Sequence, residues 1–238
     1  MPRRTVSHRS RAVAVGLMAA LSWSAIAMCQ DGADEITAEV VAARVQAFYD
    51  RTTTVRVDFQ QHYWSNVYRR TTSSRGHMAI LRPGRIRFDY TSPSGKVVVS
   101  DGDSFTYYEP GDDGGAGQYW VGSADGASAA LGFLTGTARL DRDYTFSLGA
   151  HDASSDPAHT DVLVLRPRSP DPHYTEIRLY VSDAPGTEGV VLRASICDHE
   201  NNWNRFDFSS FRFTDAIPAS TFEYTPPDGA REITPPSE

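Results

Sequence analysis

The chain has 238 residues, 40% of them hydrophobic and 22% charged, which suits one globular domain with a sizeable core or at most two small ones. Its formal net charge is −7, and removal of residues 1–27, which hold four arginines and no acid, takes it to −11. So acidic a chain argues against a nucleic-acid partner, which needs cations for its phosphates.

The N-terminus opens with Arg3, Arg4, Arg9 and Arg11 and continues from Ala12 to Ala27 as an almost uninterrupted apolar run, the pattern of a secretory signal peptide. Ala25-Ile26-Ala27 supplies small residues for a signal peptidase, so cleavage is expected between Ala27 and Met28, leaving a mature domain over 28–238. Two readings compete. Arg3-Arg4 could mark twin-arginine export, and Cys29 could be lipidated, although a lipobox wants Gly, Ala or Ser where Met28 stands. No later stretch reaches the ~18 consecutive apolar residues of a membrane span, so a soluble mature protein is expected. Cys29 and Cys197 are the only cysteines; pairing them needs an oxidising compartment and carries little weight.

From Thr37, a suitable N-cap, Val41, Val45 and Phe48 recur at helical spacing with Glu39 in the first turn, predicting one amphipathic helix to about Tyr49. The period then changes to two with Val55, Val57 and Phe59. Strands are predicted over Gly76–Leu81, Arg85–Tyr90, Lys96–Ser100, Ser104–Tyr108, Gln118–Val121 and Tyr144–Leu148, punctuated by Arg82-Pro83-Gly84, Ser92-Pro93-Ser94-Gly95 and Asp101-Gly102-Asp103. Asp161–Arg166, Thr175–Val181, Val190–Cys197 and Trp203–Phe213 follow. The regular spacing implies one antiparallel meander, a barrel or a strongly curved sheet. Ser123–Arg139 differs, being rich in Ala and Gly with Leu131, Phe133 and Leu134, and suits a mobile helical flap. Gly111–Gly117 and Ala150–Ala158 are polar surface loops.

Chemistry is hard to find. Gly126-Ala127-Ser128-Ala129-Ala130 lacks the second glycine and the preceding strand of a nucleophile elbow. Histidines 62, 77, 151, 159, 173 and 199 never reach metal-ligand spacing. Asp198-His199-Glu200 could poise an imidazole for acid/base work, but reads better as a polar turn ending in Asn201-Asn202. Asp101-Gly102-Asp103 starts like a calcium loop, yet Phe105 and Tyr107 occupy later ligand positions. No catalytic residue, metal ligand or cofactor site is therefore assigned. The aromatic strands could line a cavity or simply fill a core, and the core is the commoner use of such residues.

Gly76–Tyr90, then Pro93, Val97-Val98-Val99-Ser100-Asp101-Gly102 and Tyr107-Tyr108-Glu109-Pro110 resemble the pattern of the outer-membrane lipoprotein carrier family, LolA: a strand, an Arg-Pro turn, an aromatic-bearing strand, and a Val-Ser-Asp-Gly hairpin ending in Tyr-x-Pro. Val57-Asp58-Phe59-Gln60-Gln61, Leu165-Arg166-Pro167 and Phe222–Gly229 match in the same order, so the resemblance spans about Thr37 to Gly229.

The resemblance implies a mainly β protein: a single curved antiparallel sheet, an unclosed half-barrel of ~10–12 strands, with an N-terminal helix and a short helical lid enclosing an apolar cavity. It implies a periplasmic, monomeric, non-enzymatic carrier of acylated lipoproteins, loaded by an inner-membrane ABC lipoprotein exporter and unloaded at an outer-membrane lipoprotein receptor. Arg82 occupies the position of the family's arginine that bonds the lid when the cavity is empty. Candidate cavity residues are Phe59, Ile86, Phe88, Tyr90, Phe105 and Tyr107 from the sheet and Leu131, Phe133 and Leu134 from the flap; strand alternation suggests that only about half face inward. The sequence departs from the family at Ile86, where an aromatic is common nearby, and in an enlarged Gly111–Gly117 loop. Other readings are a related envelope lipid carrier, a receptor of the same fold with a lipidated cysteine, a lipoprotein-sensing regulator, for which no second domain is expected after Gly229, and a hydrolase using Asp198-His199-Glu200.

Overall fold

Thr37 starts the fold: its Oγ1 accepts from the Val40 amide at 3.4 Å, satisfying one of the amides that a helix start leaves without a partner. The computed structural model describes residues 36–123, 132–213 and 216–234. The expected signal peptide, Cys29, Gly126–Ala130 and Leu131 lie outside them.

Helix α1 (Ala38–Asp50) turns Val41, Val45, Phe48 and Tyr49 to one buried side. Next come β1 (Thr54–Ser65), β2 (Arg70–Leu81), β3 (Arg85–Ser92), β4 (Ser94–Asp101), β5 (Ser104–Glu109) and β6 (Gln118–Ser123). Two single-turn helices, α2 (Gly132–Thr135) and α3 (Leu140–Asp143), precede β7 (Tyr144–Leu148), β8 (Thr160–Pro167), β9 (Glu176–Ser182), β10 (Val191–Cys197), β11 (Trp203–Arg212) and β12 (Arg231–Glu232). All twelve strands form one sheet in the order β12-β6-β5-β4-β3-β2-β1-β11-β10-β9-β8-β7. Its two ends, β12 and β7, are not paired with each other, so the sheet is unclosed.

Two features exceed the sequence reading. Hairpin β1–β2 stays in register from Thr54↔Leu81 to Ser65↔Arg70, well past the last apolar alternation, because backbone pairing carries its polar outer half, helped by a 2.9 Å contact between His62 Nδ1 and Ser73 Oγ. Strand β12 pairs in parallel with β6, and the Gly111–Gly117 loop contracts onto a short 3₁₀ turn over Asp112–Gly114.

Register decides which residues share a face. Val55, Ile80, Ile86, Ser100 and Phe105 form one row across β1–β5, and Val57, Met78, Phe88, Val98, Tyr107 and Trp120 the next. Phe59, Gly76 and Tyr90 form a third. All six sheet candidates therefore point to the same, inner face, correcting the expectation that half would turn away: each was drawn from alternate positions, and the hairpins hold those alternations in phase. Gly76 is required here, since a Cβ would stand 2.1 Å from the Asp89 carbonyl oxygen at the β2–β3 bulge.

Helix α1 lies against the β7–β8 end of the inner face, in a core with Leu163, Leu165, Ile177, Leu179, Val181 and Ala194, all fully buried. Burial of side chains such as Val45 and Phe48 contributes about 1.5–3 kcal/mol each. On the outer face a second cluster forms where Ile217 and Phe222 cover Ala79, Val97, Val99 and Tyr108. Arg87 fastens that cover, donating to the Thr221 carbonyl at 3.1 Å and lying over the Tyr224 ring.

Candidate functional site

The rim where α1 ends is built around Arg82, the first residue of the β2–β3 turn. Its amide donates to the Thr53 carbonyl at 2.9 Å, fixing the backbone. Its side chain runs inward: Nη1 donates to the Tyr49 carbonyl, and Nη2 stands 4.0 Å from Asp50 Oδ1. The side chain keeps only 12% of its exposure, so burial lowers its pKa while Asp50 opposes the shift. A guanidinium cannot discharge in a protein, so it must be compensated, here by the negative end of α1 and by Asp50.

Asp50 has further partners. Gln46 Nε2 donates to it at 2.7 Å, and Arg139 Nη1 stands 3.7 Å away. Gln46 Oε1 accepts from the Leu140 amide at 2.9 Å, which joins α1 to α3. The β2–β3 turn joins α2 through the Gly84 amide and the Thr135 carbonyl, at 2.9 Å. Gly136, at φ +80°, lies against the Arg82 guanidinium, and a Cβ there would be 2.7 Å from Nε. Three segments, the end of α1, the β2–β3 turn and the α2–α3 flap, thus converge on one arginine.

Beneath the rim lies the aromatic layer. Phe59 meets Phe88 and Tyr90 edge to face at 5.4 and 5.0 Å, and Phe206 adjoins Phe88 at 5.9 Å. Ile86, Phe133 and Leu134 are buried in the same cluster, with Phe133 edge-on to Tyr49 at 6.0 Å. A surface cleft of about 390 Å³ beside Gly84, Thr137 and Tyr174 does not touch Phe59, Phe88 or Tyr90.

Phe105 and Tyr107 share the inner face but group around Trp120, at 5.4 and 5.9 Å, with Tyr107 and the indole stacked. Burial pushes the Tyr107 phenol up to about 12, with Glu109 adding to the shift. Lys96 Nζ sits 4.5 Å from the Tyr90 ring centre and 4.9 Å from that of Tyr107. Sequence reasoning missed both Trp120 and Lys96. Trp120 was findable as an alternate position of the strand expected over Gln118–Val121, whereas a lysine in a strand reads as solvent-facing.

The other candidates serve local structure. Asp198 accepts from the amides of Glu200 and Asn202 and from Asn202 Nδ2, while His199 Nε2 contacts the Asp171 carbonyl at 2.7 Å. That is the polar turn between β10 and β11. Asp101 Oδ1 accepts from the amides of Asp103 and Ser104 at 2.9 and 2.8 Å, which holds its carboxyl below the ordinary value. Among the described residues, no three or more His, Cys, Asp or Glu side chains gather as a metal site. Cys197 is buried, with Sγ 3.6 Å from the Asp198 carbonyl.

The model of the outer membrane lipoprotein carrier protein LolA matches residues 50–225. An outer-membrane lipoprotein carrier protein of Dechloromonas aromatica (strain RCB) is 31% identical over 187 residues, covering 77% of this chain and 82% of its own. One from Methylibium petroleiphilum is 30% identical over 190 residues, covering 79% and 87%. A crystal structure of a LolA superfamily protein from Nitrosomonas europaea superposes with a TM-score of 0.43 and 12% identity, over 80% of this chain and 99% of its own. The chain belongs to the LolA family of outer-membrane lipoprotein carriers.

Proposed function

We propose that the mature chain works in the periplasm as a monomeric, non-enzymatic carrier that takes the acyl chains of a lipoprotein onto its inner face, receives them from an inner-membrane ABC exporter and yields them to an outer-membrane receptor. The observation that carries this reading is Arg82, whose side chain holds the end of α1 and lies against Gly136 of the flap, beside a largely apolar inner face.

Magnitudes make the cycle reversible. An acyl chain of about 15 methylenes removed from water is worth about 12 kcal/mol, so the cargo cannot cross an aqueous space alone. Admitting it means parting the flap and helix from the sheet, which re-exposes side chains such as Phe48, Phe133 and Leu134 at about 1.5–3 kcal/mol each. It also breaks the Arg82 bonds, at about 1.5–3 kcal/mol for a hydrogen bond to a charged group. Opposing terms of similar size let cargo enter without being trapped. Candidate contacts are Phe59, Ile86, Phe88, Tyr90, Phe105, Tyr107, Phe133 and Leu134, and Arg82 biases the empty protein towards closure.

The test is a transfer assay with a triacylated lipoprotein, its unacylated form as control. Wild type should bind only the acylated form and pass it to acceptor membranes. Arg82→Leu should bind it and release it poorly. Normal release by Arg82→Leu would overturn the role given to Arg82, and binding indifferent to acylation would overturn the carrier reading.

A further inference from the structure

Lys96 is oddly placed for a strand lysine. It shares the inner face with Val98 and Ser100, its alternate neighbours in β4, and is half-buried. Its ammonium lies across the faces of Tyr90 and Tyr107. Among the described residues it makes neither a hydrogen bond nor an ion pair, and Glu109, one residue beyond the Val97↔Tyr108 pair, acts on it only at longer range. Burial lowers its pKa accordingly. An ammonium has three donors. Here it has been drawn out of water against two rings, with only Glu109, at longer range and not as an ion pair, to offset its charge.

The surface beside it is of the opposite kind. Tyr107, Trp120 and Val98 stand in one row on the inner face, and each keeps part of its surface exposed. Gly122 makes room for the indole: a Cβ there would be 3.1 Å from it, and its absence lets Trp120 lean towards Phe105. An apolar wall next to a cation that makes no direct ion pair fits a molecule that joins an acyl chain to a compact negative group. An acidic peptide fits less well, because the chain as a whole carries −7 and repels extended acidic partners, while one local cation still selects a small anion.

We infer that Lys96, with Tyr107 and Trp120, forms a headgroup subsite for an acidic phospholipid, its phosphate at the ammonium and an acyl chain along the ring wall. A lysine acts as a point charge towards phosphate and needs no bidentate geometry. The inference rests on the carrier reading above and adds a preference among lipids to it.

The test compares short-chain phosphatidylglycerol with phosphatidylcholine of the same chains, titrated below micelle formation onto the full mature protein and read by native mass spectrometry, with a triacylated lipopeptide in parallel. Wild type should bind phosphatidylglycerol about tenfold more tightly than phosphatidylcholine. Lys96→Met should bring the two together by weakening only the anionic lipid, Lys96→Arg should keep the preference, and Trp120→Ala should weaken both lipids alike. Equal binding of the two lipids by wild type, or a preference that survives Lys96→Met, would overturn the subsite. If that happens while the lipopeptide still binds, the carrier reading stands without the subsite; failure of the lipopeptide and of both lipids to bind would remove both.

Discussion

The inner face has two halves that are made of similar residues and covered differently. On β8, β9 and β10, Leu163, Leu165, Ile177, Leu179 and Ala194 are fully buried near α1. On β4, β5 and β6, Val98, Tyr107 and Trp120 remain partly exposed with Lys96 between the rings. The first half behaves as a core and the second as a surface waiting for a partner. What separates them is the helix, since α1 packs against β7 and β8. Apolar strand content alone therefore does not mark a binding face; the element laid upon it does.

Truncation should expose that difference most strongly. Leu179→Ala removes a fully buried side chain that cannot be replaced by neighbours, and should cost about 2–5 kcal/mol in urea unfolding. Trp120→Ala, larger in volume but partly exposed, should cost under about 1.5 kcal/mol. Similar losses at both positions would mean that the β4–β6 wing is packed as tightly as the other.

Next in size is the latch, which joins the halves at their rim. Gly136→Ala places a Cβ at φ +80° and 2.7 Å from Arg82 Nε. The backbone penalty is about 1 kcal/mol, and the guanidinium, being the end of a flexible chain, must swing away from Tyr49 and Asp50. Release of bound lipoprotein should then slow in the direction expected for Arg82→Leu. A Gly136→Ala protein that is destabilised but releases cargo normally would separate stability from latching and count against the role of Arg82.

Much of this was legible beforehand, for identifiable reasons. Thr37, Val41, Val45 and Phe48 announce α1 because capping and helical period agree, and Arg82-Pro83-Gly84 announces a turn because Gly84 takes φ +78°. The outer half of hairpin β1–β2 was not legible, since Arg70–Arg75 has no apolar alternation and is held by backbone pairing. Nor was β12, two residues paired in parallel across a long sequence gap. At the site, Arg82 could be named from the family pattern, but its partner Gly136 lies in a small-residue stretch without periodicity. Lys96 could not be found at all, because nothing local distinguishes a lysine laid across two rings from one in solvent.

The smallest effects distinguish the halves by pH. In the β4–β5 turn, Asp101 has a carboxyl held below 3.8 by the amides of Ser104 and Asp103. A depressed carboxyl stabilises the fold above its unfolded value and loses that contribution as pH falls through its folded one. Asp101→Ala should therefore cost about 0.5 kcal/mol at neutral pH, allowing for solvent screening, and nothing in strong acid. Asp161, under α1 on the covered half, has its carboxyl raised, first by burial and then by Asp183, with Arg44 at 3.5 Å and His151 opposing. A raised carboxyl opposes folding once pH exceeds its unfolded value. Asp161→Asn should thus stabilise the protein slightly at neutral pH, by a few tenths of a kcal/mol, with the gain vanishing below about pH 4. Urea midpoints measured from pH 3 to pH 7 should show the two variants diverging from wild type in opposite directions as pH rises. A loss at neutral pH for both would mean that the Arg44 pair outweighs the burial of Asp161, and that the covered half tolerates its buried charge as well as the open half tolerates an exposed one.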